Sequence, residues 1–221
     1  MNILELSEQE IIRRNSLNEL RAMGIDPYPA AEYVTNAFST DIKAEFKDDE
    51  EPRQVSVAGR IMSRRVMGKA SFMDLLDSTG RLQVYVRRDD VGEEDYADFK
   101  KWDIGDVLGV EGTVFRTQKG EISVHTTHIK LLSKSLLPLP EKFHGLQDKE
   151  ERFRRRYVDL IMNEESKHIA LTRPRIIRAI QRYLDGKGLV EVETPVLQPI
   201  LGGAAARPFI THHNTLNMPF Y

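Results

Sequence analysis

Apolar and polar residues follow two different periods along this chain, and the change from one to the other divides it. Ser7 followed by Glu10 is a capping-box pattern, and it predicts a helix running to about Met23 with Gly24 as its stop. In that helix Ile11, Ile12, Leu20 and Met23 can face inward, with Arg13, Arg14 and Arg21 on or beside the outer face. Beyond "DPYPA" and the acidic "KDDEEP" the period becomes two. Val55, Val57, Gly59 and Ile61, then Phe72 to Leu76, then Leu82, Val84 and Val86 predict three strands. "EEDYADFKKW", Glu93 to Trp102, reads as a short helix. Val107 to Phe115 and Glu121 to Leu132 predict two more strands, joined by "RTQKG". Three strands, a helix and two strands is the order of a five-stranded oligonucleotide-binding (OB) barrel, whose helix lies between the third and fourth strands.

"SLLPLPEKFHGLQD" reads as a linker, because Pro138 and Pro140 resist both helix and central strand. After "KEERFRRRYVDLI" a helical pattern returns, with Ile176, Ile177, Ile180 and Leu184 on one face. Pro174 either occupies the first turn of a helix capped by Thr172 or kinks a longer one. Gly186 and Gly188 end the helix, and "LVEVETPVL" predicts an alternating strand. The expected organisation is α+β: a helical extension over 1–54, an OB barrel over 55–135, a linker over 136–150 and a second domain over 151–221.

Composition narrows the chemistry. Lys+Arg at 32 against Asp+Glu at 34 gives a formal charge of −2, so any basic binding surface is a local patch. The absence of cysteine excludes disulfides, thiolate chemistry and sulfur-ligated zinc. The start "MNILELSEQE" is acidic where a signal peptide would be basic, and no run of about 18 apolar residues occurs. A cytoplasmic setting without a membrane partner is expected. His125 and His128 stand three apart on a predicted strand, hence on opposite faces, and His212 and His213 diverge similarly. Neither pair has neighbours suited to a metal, so no metal site is expected.

The turn Asp77-Ser78-Thr79-Gly80 predicts Phe72 opposite Tyr85 and Asp74 opposite Gln83, all on one face. Met73, Leu75, Leu82, Val84 and Val86 then make the barrel interior. Phe72 falls outside, beside an amide. Such a pair suits an unstacked nucleobase: the ring supplies about 1–3 kcal/mol of stacking and the amide reads an edge. Arg60, Arg64, Arg65 and Lys69 are available for phosphates or base edges, and Glu121 for a base N–H. The alternative is that Phe72 plugs the barrel end and the charges are solvated. Gly202 and Gly203 allow close backbone approach to a ligand and φ > 0, or make a plain turn before a rigid proline.

"GRIMSRRVMGKASFMDLLDSTGRLQVYV", "FKKWDIGDVLG", "LPLPEKFHGLQDKEERFRRRYVDLI" and "GGAAARPFITHHNTL" resemble successive blocks of the class II lysyl-tRNA synthetases, covering most of Val55 to Leu216. The resemblance implies that the barrel binds the anticodon of tRNA(Lys), with Phe72 stacking on the central uridine and Arg64, Gln83 and Glu121 reading or framing it. Arg60 and Lys69 become backbone contacts or structural charges. It makes "RYLDGKGLVEVETPVL" motif 1, mainly a homodimer interface, which gives Ile177, Val192 and Pro195 structural roles. It places the glycine loop beside the amino-acid pocket, with Gly202 a lysine contact through its backbone. The run Arg152, Arg154, Arg155 and Arg156 touches tRNA or fixes the linker.

In that family lysine is activated by ATP, with Mg²⁺, to an adenylate and then passed to tRNA. The phosphate clamp comes from motifs 2 and 3, which these residues do not contain. The part after about Glu151 is therefore expected to be the truncated start of the antiparallel α/β catalytic domain, with the catalytic residues after Tyr221. The segment by itself is expected to bind tRNA, to hold neither ATP nor Mg²⁺, and not to catalyse. Rival readings are an aspartyl or asparaginyl synthetase fragment, which expects the same central uridine and differs at the third anticodon position, and a stand-alone single-strand-binding OB module. A lysine-transferring enzyme that modifies a translation factor resembles the second part but lacks the barrel.

Overall fold

The computed structural model describes residues 6–140, 146–202 and 207–221. It divides into two compact units, Met1–His144 and Gly145–Tyr221. In the first, helices α1 (Glu8–Ala22) and α2 (Ser39–Glu45) precede β1 (Gln54–Met67), β2 (Ala70–Leu76) and β3 (Arg81–Arg87). A short α3 (Arg88–Val91) and α4 (Glu93–Lys101) follow, then β4 (Val107–Arg116) and β5 (Ile122–Ser133). The strands close into a barrel in the order β1-β2-β3-β5-β4, the expected five-stranded OB arrangement. Met73, Leu75, Leu82, Val84 and Val86 all lie in its core with Val55, Val57 and Ile61.

The β2–β3 register follows from its turn. Asp77 N donates to Gly80 O, and the Asp77 carboxylate accepts from the backbone of Thr79 (2.7 Å) and Gly80 (2.8 Å). This locks Phe72 opposite Tyr85, Asp74 opposite Gln83 and Met73 opposite Val84. Because side chains alternate, a one-residue slip would turn the core face outward, so the turn and the core enforce the same pairing.

Three expectations for this unit are corrected. The capping box of α1 forms, with Ser7 N donating to Glu10 Oε2 and Glu10 N to Ser7 Oγ. The buried stripe, however, is Arg13, Leu17 and Leu20, while Ile11, Ile12 and Met23 are exposed. Arg13 tolerates burial because its stem packs while its Nη1 donates to Ser135 O at 3.1 Å. Second, β1 carries a bulge between Ile61 and Ser63, which inverts the alternation beyond it. Third, β5 is bulged against β4 where Glu111 pairs with His128 and Gly112 with Thr126. The extra residue, Thr127, puts His125 and His128 on the same outer side. Gly112 permits that bend: a Cβ there would lie 2.1 Å from His125 O.

The second unit contains α5 (Lys149–Arg154), α6 (Arg156–Met162), α7 (Glu164–Asp185), and a hairpin of β6 (Thr211–His213) with β7 (Met218–Phe220). Pro174 lies inside α7, the longer-helix alternative. Residues 189–197 form no strand, because no extended neighbour among the described residues supplies a hydrogen-bonded ladder for them. The arginine run is neutralised locally: Arg154 pairs with Glu150, Arg155 with Glu151, and both Arg152 and Arg156 with Asp159. Asp159 is fully buried and also accepts from Asn163 Nδ2. Burial alone would raise its pKa, but the hydrogen bonds from Asn163, Arg152 and Ser166 outweigh it and bring the carboxyl down to about 2. These contacts tie α5, α6 and α7 together, which favours the structural reading of the basic run.

Candidate nucleic-acid interface

The outer wall of the barrel carries a groove of about 850 Å³ across β2, β3 and the β4–β5 turn. Phe72 and Gln83 line it together with Tyr85, Asp74 and Glu121. Phe72 is half-buried, with one side of its ring against Tyr85 at a centroid distance of 4.8 Å. It therefore lies on the outside, braced by its cross-strand partner, and not in the barrel interior. The row continues around the wall: Tyr85 meets His125 at 5.3 Å and Phe115 at 6.2 Å.

Gln83 has a defined orientation. Its Oε1 accepts from Ser123 Oγ at 2.9 Å, the buried Ser123 being its neighbour on β5. The amide nitrogen is thereby left as a donor toward the groove. Glu121 begins the return from the β4–β5 turn, whose backbone is closed by Thr117 N donating to Glu121 O at 2.9 Å. One carboxylate oxygen of Glu121, Oε1, accepts from Lys43 Nζ. His125 is fixed by Asp90 at 2.6 Å, and Arg87 also holds Asp90. Burial pushes the Asp90 carboxyl up, yet the bonds from His125 and Arg87 hold it below the ordinary range.

Arg64 does not join this group. Uninterrupted alternation from Val55 would point it outward, but the bulge at Met62 pairs Arg64 with Met73, a core position, and Arg65 with Phe72. Arg64 Nη1 instead donates to Phe99 O at 2.9 Å, and its guanidinium lies 5.6 Å from the Phe99 ring. It thus caps the C-terminal carbonyls of α4, where a cation is favoured. Burial lowers its pKa against the pull of Asp103 and Asp106. Arg60 likewise turns to Gly105 O at 2.6 Å. Of the two neighbouring arginines it is the exposed Arg65 that lines the groove, together with Lys119 of the β4–β5 turn. No signal in the sequence separates two adjacent arginines when the bulge between them and the preceding strand is unseen.

Gly202 is described, but its neighbours Gly203 to Ala206 lie outside the described residues. Among those described, no atom beyond its chain neighbours comes within 4 Å of where a Gly202 Cβ would stand, and its φ is not left-handed. No group of three or more His, Cys, Asp or Glu among the described residues has the geometry to hold a metal ion. No described helix is long and apolar enough to cross a membrane.

Comparison with known proteins agrees with this geometry. Residues 55–132 match the family model described as an OB-fold nucleic acid binding domain, and residues 148–221 match that of class II tRNA synthetases (D, K and N). A lysine–tRNA ligase of Porphyromonas gingivalis is 56% identical over 236 residues, covering 100% of this chain and 41% of the relative. Those of Thermoanaerobacter sp. and Syntrophomonas wolfei are 53% and 52% identical, covering 100% and 99% of this chain and 44% of each relative. The chain thus spans less than half the length of the curated relatives it matches. With both parts of the architecture matched in order and this identity along the whole chain, it belongs to the class II lysyl-tRNA synthetase family.

Proposed function

We propose that the groove on the barrel wall reads the central uridine of the tRNA(Lys) anticodon, within a protein that activates lysine with ATP and transfers it to that tRNA. The observation that carries this reading is the register that gathers Phe72, Gln83, Arg65 and Glu121 around one groove. Phe72 offers its free face to the base. Uracil presents an N–H donor flanked by two carbonyl acceptors. The Glu121 carboxylate accepts from the N–H, while the Gln83 amide and the Arg65 guanidinium donate to the carbonyls. Cytosine would set a ring-nitrogen lone pair against the carboxylate, leaving two acceptors facing each other. Such a mismatch costs about 1–3 kcal/mol.

The test is the affinity of this chain for anticodon stem-loops that differ only in the central base, at fixed salt. Uridine to cytidine is expected to weaken binding about 5- to 150-fold, and Glu121→Gln to narrow that gap. Equal affinity for the two loops would remove the proposal. Lysine, ATP, Mg²⁺ and a homodimer through motif 1, residues 182–197, belong to the proposal for the whole protein. For residues 1–221 we propose RNA binding without adenylate formation, and lysine-dependent pyrophosphate exchange by the purified chain would contradict it.

The two neighbouring arginines separate binding from stability. Arg65→Ala is expected to weaken the uridine loop by about 1–3 kcal/mol and to leave the unfolding midpoint unchanged. Arg64→Ala is expected to lower stability by about 1–2 kcal/mol, since it uncaps α4, with a smaller effect on the loop. Denaturation of both variants alongside RNA titration checks the split.

A further inference from the structure

Resting on the uridine-reading groove proposed above, we infer that Lys43 is its positioning residue: it sets the base-reading carboxylate of Glu121 and so determines the discrimination between uridine and cytidine. Lys43 belongs to α2, in the segment ahead of the barrel, and does not line the groove itself. Its Nζ donates to Glu121 Oε1 at 2.9 Å, with both side chains partly exposed. Glu121 Oε2 has no protein partner among the described residues and is the atom free for a base N–H.

The helix that presents Lys43 is held to the barrel at two points. Phe38 occupies its N-cap position and contributes no side-chain acceptor. The cap comes instead from the β2–β3 turn, where Asp77 Oδ2 accepts from Ser39 N at 2.6 Å and Oδ1 from Ser39 Oγ at 2.9 Å. Ile42, 1% exposed, is part of the barrel core. Lys43 follows it directly and is carried to the groove's edge. The turn that sets the register of Phe72 and Gln83 thus also anchors the helix that reaches Glu121.

Energetics say what such a pair is for. An exposed ion pair contributes little to folding stability, so stability does not account for it. A glutamate on a wall that receives a polyanion has two problems: its long side chain is free to rotate, and its charge repels phosphates. Lys43 addresses both by occupying one oxygen and cancelling the charge, while the second oxygen stays an acceptor.

The experiment measures Kd of the full 221-residue chain for the uridine- and cytidine-centred stem-loops at several salt concentrations. With Lys43→Met the uridine-to-cytidine affinity ratio is expected to fall about 3- to 10-fold, mainly through the uridine loop, as expected for an oriented polar contact. Lys43→Arg should retain the ratio within about twofold, since the donor persists. Trp102 fluorescence confirms that the barrel is folded in each variant. An equal loss for both loops, with the salt slope reduced by about 0.7–0.9, would make Lys43 a phosphate contact and overturn the inference. If Glu121→Gln collapses discrimination while Lys43→Met does not, Lys43 alone is misassigned. If neither changes it, the uridine reading falls and this role with it.

Discussion

Phe72→Ala is expected to weaken binding of the uridine-centred anticodon stem-loop by about 1–3 kcal/mol, or about 5- to 150-fold in Kd. The loss follows from the ring's position. One side rests on Tyr85 and the other borders the groove, so truncation removes the stacking surface without opening the barrel core. The dependence of Kd on salt should keep its slope, because no phosphate contact is removed. Phe72→Tyr retains a flat ring and should bind nearly as the parent does. Phe72→Leu keeps bulk without the π-face and should fall between. Should Phe72→Ala leave RNA affinity unchanged but lower the unfolding midpoint, the ring would be a packing element and the groove would lose its base platform.

The largest expected stability effect lies elsewhere, at Lys134. Its side chain is 0% exposed and its Nζ contacts Asp106, also 0% exposed, at 2.9 Å, with Asp103 as a second partner. The surrounding backbone converges on the same point. Ser135 N and Asp103 N both donate to the Asp106 carboxylate. Tyr28 Oη donates to Lys134 O, Lys134 N to Pro27 O, and Arg13 to Ser135 O. The cluster thus joins the end of β5 and the α4–β4 connection to the segment around α1. Lys134→Ala leaves a buried carboxylate without its cation, which costs about 3–5 kcal/mol. Against domain stabilities of about 5–15 kcal/mol that is a large share.

Urea denaturation followed by Trp102, the chain's one tryptophan and a core residue of the barrel unit, reports this loss without interference from the second unit. Lys134→Met combined with Asp106→Asn is expected to lose less than the sum of the two single losses, because the double variant removes both charges. Simple additivity would mean that the two side chains act independently.

The barrel was legible because several local signals agree. Each strand alternates over at least five residues, and an Asp-Ser-Thr-Gly turn sets one register. Phe72 and Gln83 were placed on the outer face by that same counting. α2 leaves no such local signal: it has seven residues, contributes one strongly buried apolar side chain, and takes its cap from a turn 38 residues away. The buried stripe of α1 departs from its apolar pattern because Arg13 is more buried than Ile11 or Ile12, an outcome that depends on the carbonyl of Ser135 being within reach. Leu189 to Leu197 has strand periodicity but no ladder among the described residues, and periodicity describes faces without supplying a partner.

By itself the sequence determined the order of the barrel strands, their five-strand topology and the outward display of Phe72 and Gln83, because alternation and turn chemistry are local properties of the chain. Tertiary structure alone decided which arginine reaches the groove and where α1 and α2 dock. It also decided that Lys43 meets Glu121 across 78 positions of sequence. Each of those outcomes depends on a bulge, a borrowed cap or a distant carbonyl. Such features arise only when separate segments are brought together, and no periodicity in the chain records them.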